Sequence, residues 1–136
     1  MSSAQEATRL ERRLALPARL SELKVARAFA EQAADEFGFD DQGRYLFKFA
    51  ASEAVANAME HGSPYADGKI RMRVVAEGDC LALYVCDCGG ATRKFNGSDF
   101  SGERGRGLIF MRKVMDEVEL RRAENHTVIR VAKRLA

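Results

Sequence analysis

The sequence predicts an α+β fold, and three observations carry the prediction. Two strand-like runs in the middle, KIRMRVVA and CLALYVCD, and two near the C-terminal end, DEVELRRA and TVIRVAKRL, read as hairpins closed by short polar turns. Two segments with apolar residues at helical spacing precede the first pair, and GLIFMRKVM between the pairs is again helical in pattern. The order strand, two helices, two strands, loop, helix, two strands fits one mostly antiparallel sheet covered by helices on one face.

Residues 8–16, TRLERRLAL, alternate at Leu10, Leu14 and Leu16, which suits a strand that Pro17 ends, with a helix as the rival reading. Ser21 is the expected N-cap of a helix running to Phe37. Its apolar positions are Val25, Ala26, Phe29, Ala30 and Ala33, and Gly38 is its stop. A second helix is expected from Asp40 or Asp41 to His61, with Phe47, Ala51, Ala54 and Ala58 as its core stripe. The loop GSPYADG leads into the first hairpin, which turns across Glu77, Gly78 and Asp79. Residues 88–104, CGGATRKFNGSDFSGER, lack periodicity and read as a long loop of the kind that is functional or disordered. The closing hairpin turns near Glu124 and Asn125.

At 136 residues the chain fits one domain, residues 1–136, with a substantial core. No apolar run approaches membrane-spanning length, and MSSAQEATRLERR lacks the apolar centre of a secretory signal, so a cytoplasmic protein without a membrane is expected. A net charge of +2 without a long run of one sign gives no argument for direct nucleic-acid binding. Cys80, Cys86 and Cys88 make an odd count that fits reduced thiols, and strand cysteines packed in a core are the expectation.

Three stretches carry candidate chemistry. In AASEAVANAMEHG, helical spacing places Glu53, Asn57 and His61 on one face at the edge of an alanine stripe. A carboxylate and an amide beside a cavity suit a hard cation such as magnesium that shares a phosphate; the same spacing also fits a solvated helix face, with His61 near the helix C-terminus. Asp87 ends a strand and passes into glycines, where a carboxylate can accept a hydrogen bond from an exocyclic amine or simply shape a turn. In SGERGRGLIFM, Gly102, Gly105 and Gly107 precede a helix. Backbone amides there approach an anion easily, and Arg104 and Arg106 add phosphate contacts; a glycine-rich linker is the alternative. Neither a P-loop nor a dinucleotide fingerprint is present, since GSPYADGKI has Ile after its lysine and Gly105-Arg-Gly107 lacks the third glycine and preceding strand.

Taken together, Glu53-Ala-Val-Ala-Asn57-Ala-Met-Glu-His61 resembles the N box, Asp87-Cys-Gly89-Gly the first glycine box and Gly105-Arg-Gly107-Leu108 the second glycine box of the GHKL ATP-binding superfamily. Within it, EHGSPYADGKI and GRGLIFMRKVMDEVEL resemble the bacterial anti-sigma factor serine/threonine kinases of partner-switching systems. The resemblance implies the Bergerat sandwich, a mostly antiparallel mixed sheet covered by about three helices on one face.

It also implies roles. Asn57 would ligate Mg2+ bridging the ATP phosphates, and Glu53 would act as general base toward a substrate hydroxyl or orient a water. Asp87 would read adenine, supported by Thr127. Gly89 belongs to the first glycine box; Arg104, Gly105, Arg106, Gly107 and Leu108 would lie along the phosphates, and residues 91–104 would form the ATP lid. His61 receives no catalytic role. Such relatives phosphorylate a STAS-type anti-anti-sigma protein, sequester a sigma factor and form homodimers.

Two departures stand out: Ala91 occupies the place of a third glycine in the first box, and Asn125-His126 precedes Thr127 where a glycine is usual. Three functions follow for comparison: an active serine/threonine kinase, for which Glu53 speaks; an ATP-binding docking protein without turnover, for which Ala91 speaks; and a detached histidine-kinase ATPase module, against which the absence of a helical phosphoacceptor segment speaks.

Overall fold

The computed structural model describes residues 10–61, 69–87, 111–122 and 127–135. Strand β1 (Glu11–Pro17) is followed by helices α1 (Leu23–Phe37) and α2 (Asp41–His61), the hairpin β2 (Lys69–Glu77) and β3 (Cys80–Asp87), and the hairpin β4 (Glu117–Arg122) and β5 (Thr127–Arg134). Residues 111–114 are helical and lead toward β4. The strands form one sheet in the order β1-β2-β3-β5-β4, with β3 central. Every pair in it is antiparallel.

Period-two alternation decides which face of the sheet is buried. Register aligns Leu14, Met72, Val85, Ile129 and Leu120 in one cross-sheet row, and Val74, Leu83, Val131 and Val118 in the next. These rows, with Leu16 and Ile70, form the core together with Ala26, Ala30, Ala33, Phe47, Ala51, Ala54, Val55 and Ala58 of the helices. The alanine stripe foreseen on α2 is therefore the surface on which it packs. Small side chains let α1 and α2 approach each other and let α2 lie against β2, β3 and β5. Phe37, Phe39 and Phe47 stack at the interhelical turn, with ring centroids 5.3 Å and 5.9 Å apart.

The helix ends are fixed locally. Gly38 takes φ 110° and its N–H donates to Ala34 and Asp35, the left-handed C-cap foreseen for glycine. The N–H of Gly43 donates to Asp40 Oδ1 at 2.8 Å, so Asp40 caps α2. Ser21, by contrast, does not cap α1: a short 3-10 turn, Leu20–Glu22, precedes the helix, and Glu22 at the N-cap makes no side-chain cap hydrogen bond. Val25 is exposed rather than part of the apolar stripe. Residues 11–17 form a strand because they pair with β2 along their whole length, Pro17 included.

The cysteines correct another expectation. Cys80 and Cys86 are half-buried, not core residues. They share the even-numbered face of Tyr84, while Leu81, Leu83 and Val85 face the helices. Burial and a hydrogen bond to Asp79 push the Cys80 thiol above its ordinary range, which keeps it protonated. Cys88 lies outside the described residues.

Candidate active site

The site is built on the C-terminal half of α2. Asn57 is 6% exposed and is the one buried polar side chain among the described residues. It makes no side-chain hydrogen bond to another described residue. A buried amide without a partner costs about 1–3 kcal/mol, so native proteins retain one only where something else, such as a ligand or water, satisfies it. Glu53, one helical turn earlier, is half-buried between Ser52 and the buried Ala54. The spacing foreseen from the sequence therefore gives two unequal neighbours: an amide enclosed by the fold and a carboxylate within reach of solvent.

Cross-helix contacts set the position of this turn. Arg27 Nη1 donates to Ser52 Oγ at 3.4 Å, Lys48 Nζ lies 3.5 Å from Glu31, and Arg44 Nη1 lies 3.3 Å from Asp35. Each contact is exposed and individually weak. Repeated at one-turn intervals, they hold α1 and α2 in one axial register next to Glu53. This ladder was not foreseen from the sequence. Its signal is the i, i+4 series Arg27, Glu31, Asp35 facing Arg44, Lys48, Ser52.

The second part of the site comes from strand ends. Asp87 is the last residue of β3 and pairs in register with Ile70 of β2 on one side and Thr127, the first residue of β5, on the other. The row Leu16–Ile70–Asp87–Thr127 thus brings together two candidate residues forty positions apart in the chain. Its Leu16 and Ile70 are buried in the core beneath the helices, and α2 packs on β3 and β5, the strands that carry Asp87 and Thr127.

Gly89, Arg104, Gly105, Arg106, Gly107 and Leu108 lie outside the described residues, as does the lid segment 91–104; so does the side chain of His61. Among the described residues no three His, Cys, Asp or Glu side chains cluster as a metal cage. A buried amide oxygen suits magnesium that takes its remaining oxygens from phosphate and water. The orphaned amide of Asn57 therefore fits a nucleotide-bound magnesium.

Comparison with known proteins bears on the family and the fold. The model of the histidine kinase-like ATPase domain matches residues 16–133. A curated relative, the serine-protein kinase RsbW of Bacillus pumilus, is 28% identical over 128 residues, covering 83% of this chain and 79% of the relative. Among solved structures, the RsbU and RsbW domains of a Mycobacterium tuberculosis protein superpose with a TM-score of 0.72 at 22% identity, over 93% of this chain and 32% of that one. The histidine kinase domain of a blue-light activated kinase from Erythrobacter litoralis superposes with a TM-score of 0.59 at 17% identity, over 88% and 62%. This chain thus spans about a third of the first solved structure and less than two thirds of the second.

Proposed function

Because the chain belongs to the histidine kinase-like ATPase family, we propose that it is an anti-sigma factor with serine/threonine protein kinase activity. In this reading residues 1–136 form one nucleotide-binding domain that binds ATP with Mg2+. The domain phosphorylates a STAS-type anti-anti-sigma protein and, in the alternate state, sequesters a sigma factor as a cytoplasmic homodimer. The observation that carries the reading is the buried amide of Asn57, without a hydrogen-bond partner among the described residues, one turn from a half-exposed Glu53 on the same helix. The kinase named RsbW supports the choice of reaction. No helix among the described residues is long and apolar enough to cross a membrane.

The residues divide the work of phosphoryl transfer, which asks mainly for positioning and charge neutralisation. Magnesium, when bound, draws charge from the phosphate oxygens and leaves the γ-phosphorus open to attack. Asn57 Oδ1 would be the protein's ligand to that magnesium. The Glu53 carboxylate takes the proton of the partner's hydroxyl as that oxygen bonds to the γ-phosphorus; the bond to the bridging oxygen breaks and ADP leaves. Asp87 accepts a hydrogen bond from the adenine amine, and Thr127, its register neighbour, supports it. By the family resemblance, Gly89 would belong to the first glycine box, and Arg104, Gly105, Arg106, Gly107 and Leu108 would contact the phosphates through amides and guanidinium groups.

The test is incubation of the purified chain with magnesium, radiolabelled ATP and each STAS-type protein of its source organism, beside a Glu53→Ala control. Label on one partner, lost in the control, supports the kinase. ATP binding without label in any partner favours a docking protein, and no ATP binding overturns the whole reading.

A further inference from the structure

At the end of β5 remote from Thr127, a cavity of about 300 Å3 opens where the first turns of α2 meet the strand. Phe39, Asp40, Leu46, Asp116, Lys133 and Leu135 are among its walls. Alternation along β5 puts Ile129, Val131 and Lys133 on the side that the helices cover. The first two are core residues. Lys133, in register with the buried Leu81, instead carries an ammonium group to that side. It is half-buried, and no described residue forms an ion pair or side-chain hydrogen bond with it. A cation withdrawn from water without a partner costs free energy.

Two carboxylates line the same space and are already fixed by the backbone. Asp40 Oδ1 accepts the Gly43 N–H at 2.8 Å, and Asp116 Oδ2 accepts the Arg134 N–H at 2.6 Å. One oxygen of each is left without a donor among the described residues. The cavity also has an apolar wall that water covers poorly. Leu135 is 45% exposed although its N–H, donating to the Asp79 carbonyl at 2.8 Å, holds it at the rim. Leu46 is half-buried beside the buried Phe39.

We propose that this cavity binds a free α-amino acid with an aliphatic side chain. Charges of both signs held apart by the fold call for a ligand that carries both. Its carboxylate meets the Lys133 ammonium, its own ammonium meets the uncommitted oxygens of Asp40 and Asp116, and its side chain covers Leu46 and Leu135. Charge-assisted hydrogen bonds of this kind are the strong ones. An inorganic anion would leave the carboxylates unmatched, a metal cation would sit beside Lys133, and a neutral apolar molecule would strand every charge. The volume is at the lower end of ligand pockets, which suits so small a molecule. Leu46 and Asn57 lie about 16 Å apart along α2, so this site is separate from the one proposed for the nucleotide and does not depend on it.

The test is NMR titration of the full chain with L-leucine, beside leucinamide, which lacks the carboxylate, and N-acetyl-leucine, which lacks the ammonium. Leucine should give saturable shifts centred on residues 39–46 and 133–135, and each analogue should bind about tenfold more weakly or worse. Lys133→Met and Asp116→Asn should each weaken leucine binding about tenfold or more, with ATP binding at the parental level. Asparagine still accepts the Arg134 N–H, so Asp116→Asn carries the test alone if Lys133→Met does not fold. Leucine binding by a chain that binds no ATP would still support the site. Absence of saturable shifts at millimolar leucine overturns the proposal. So do analogues that bind as leucine does, or a folded variant that binds leucine as tightly as the parent.

Discussion

Asn57→Ala separates a ligand-holding amide from a structural one by the sign of its effect. If the amide served the fold, its removal would lose hydrogen bonds and packing at a site only 6% exposed. That loss costs about 1–3 kcal/mol. The structure instead shows no described partner for it, so the ligand-free protein already bears the desolvation of the amide, about 1–3 kcal/mol. Alanine removes that burden and gains up to about 0.7 kcal/mol of helix propensity. Against this stand the dispersion contacts of three lost heavy atoms, about 1 kcal/mol in all. The ligand-free variant should therefore be as stable as the parent or more stable by up to about 2.7 kcal/mol. For a domain of this size each kcal/mol moves the melting temperature by about 3–5 °C. In Mg2+ and ATP the order reverses. A parent held about 100-fold above its Kd gains about 2.7 kcal/mol, and the variant gains little. Urea titration with and without Mg2+-ATP measures both effects. Destabilisation of the ligand-free variant by more than about 1 kcal/mol, or a full ligand-induced gain in the variant, would refute the reasoning.

Other expectations follow from the same structure. Glu53→Ala should bind ATP as the parent does yet transfer no phosphate, as read by nucleotide titration beside a labelled-transfer assay; parental transfer would remove Glu53 from the chemistry. Asp87→Asn should weaken adenine binding by about tenfold, the scale of losing one charge-assisted hydrogen bond, with a smaller loss for inorganic triphosphate. Arg130 donates to Glu77 at 2.8 Å and Glu117 at 2.6 Å, while the Tyr84 hydroxyl donates to Glu77 at 2.7 Å. The Arg130 hydrogen bond, then that of Tyr84, holds the Glu77 carboxyl below the usual carboxylate range. A carboxyl depressed in the folded state gives stability that is complete above its unfolded pKa and is lost as pH falls through the folded value. Arg130→Met should thus destabilise the protein by about 1–3 kcal/mol at neutral pH, with the gap to the parent closing in acid. Urea midpoints across that range check it.

Elements governed by local chemistry were legible in the sequence. Gly38 ends α1 and Gly78, at φ 65°, turns the β2–β3 hairpin because both need backbone that glycine adopts without strain. The strand at 11–17 stayed ambiguous because short alternation fits two periods, and only pairing with β2 resolves it. Cys80 and Cys86 were misplaced although their parity with Tyr84, opposite Leu81, Leu83 and Val85, already excluded the core. The site shows the same division. Spacing alone put Glu53 and Asn57 on one helix face, but it gave them equal standing. Their difference comes from tertiary packing: the alanines let α2 sink against α1 and the sheet until Asn57 is enclosed and Glu53, one turn away, is not. Phosphoryl transfer to a protein needs that inequality. A metal ligand works best where the fold fixes it and excludes water, whereas a general base must meet a hydroxyl brought by another molecule. The depth of two residues relative to one helix axis therefore carries more of the functional argument than their identities do.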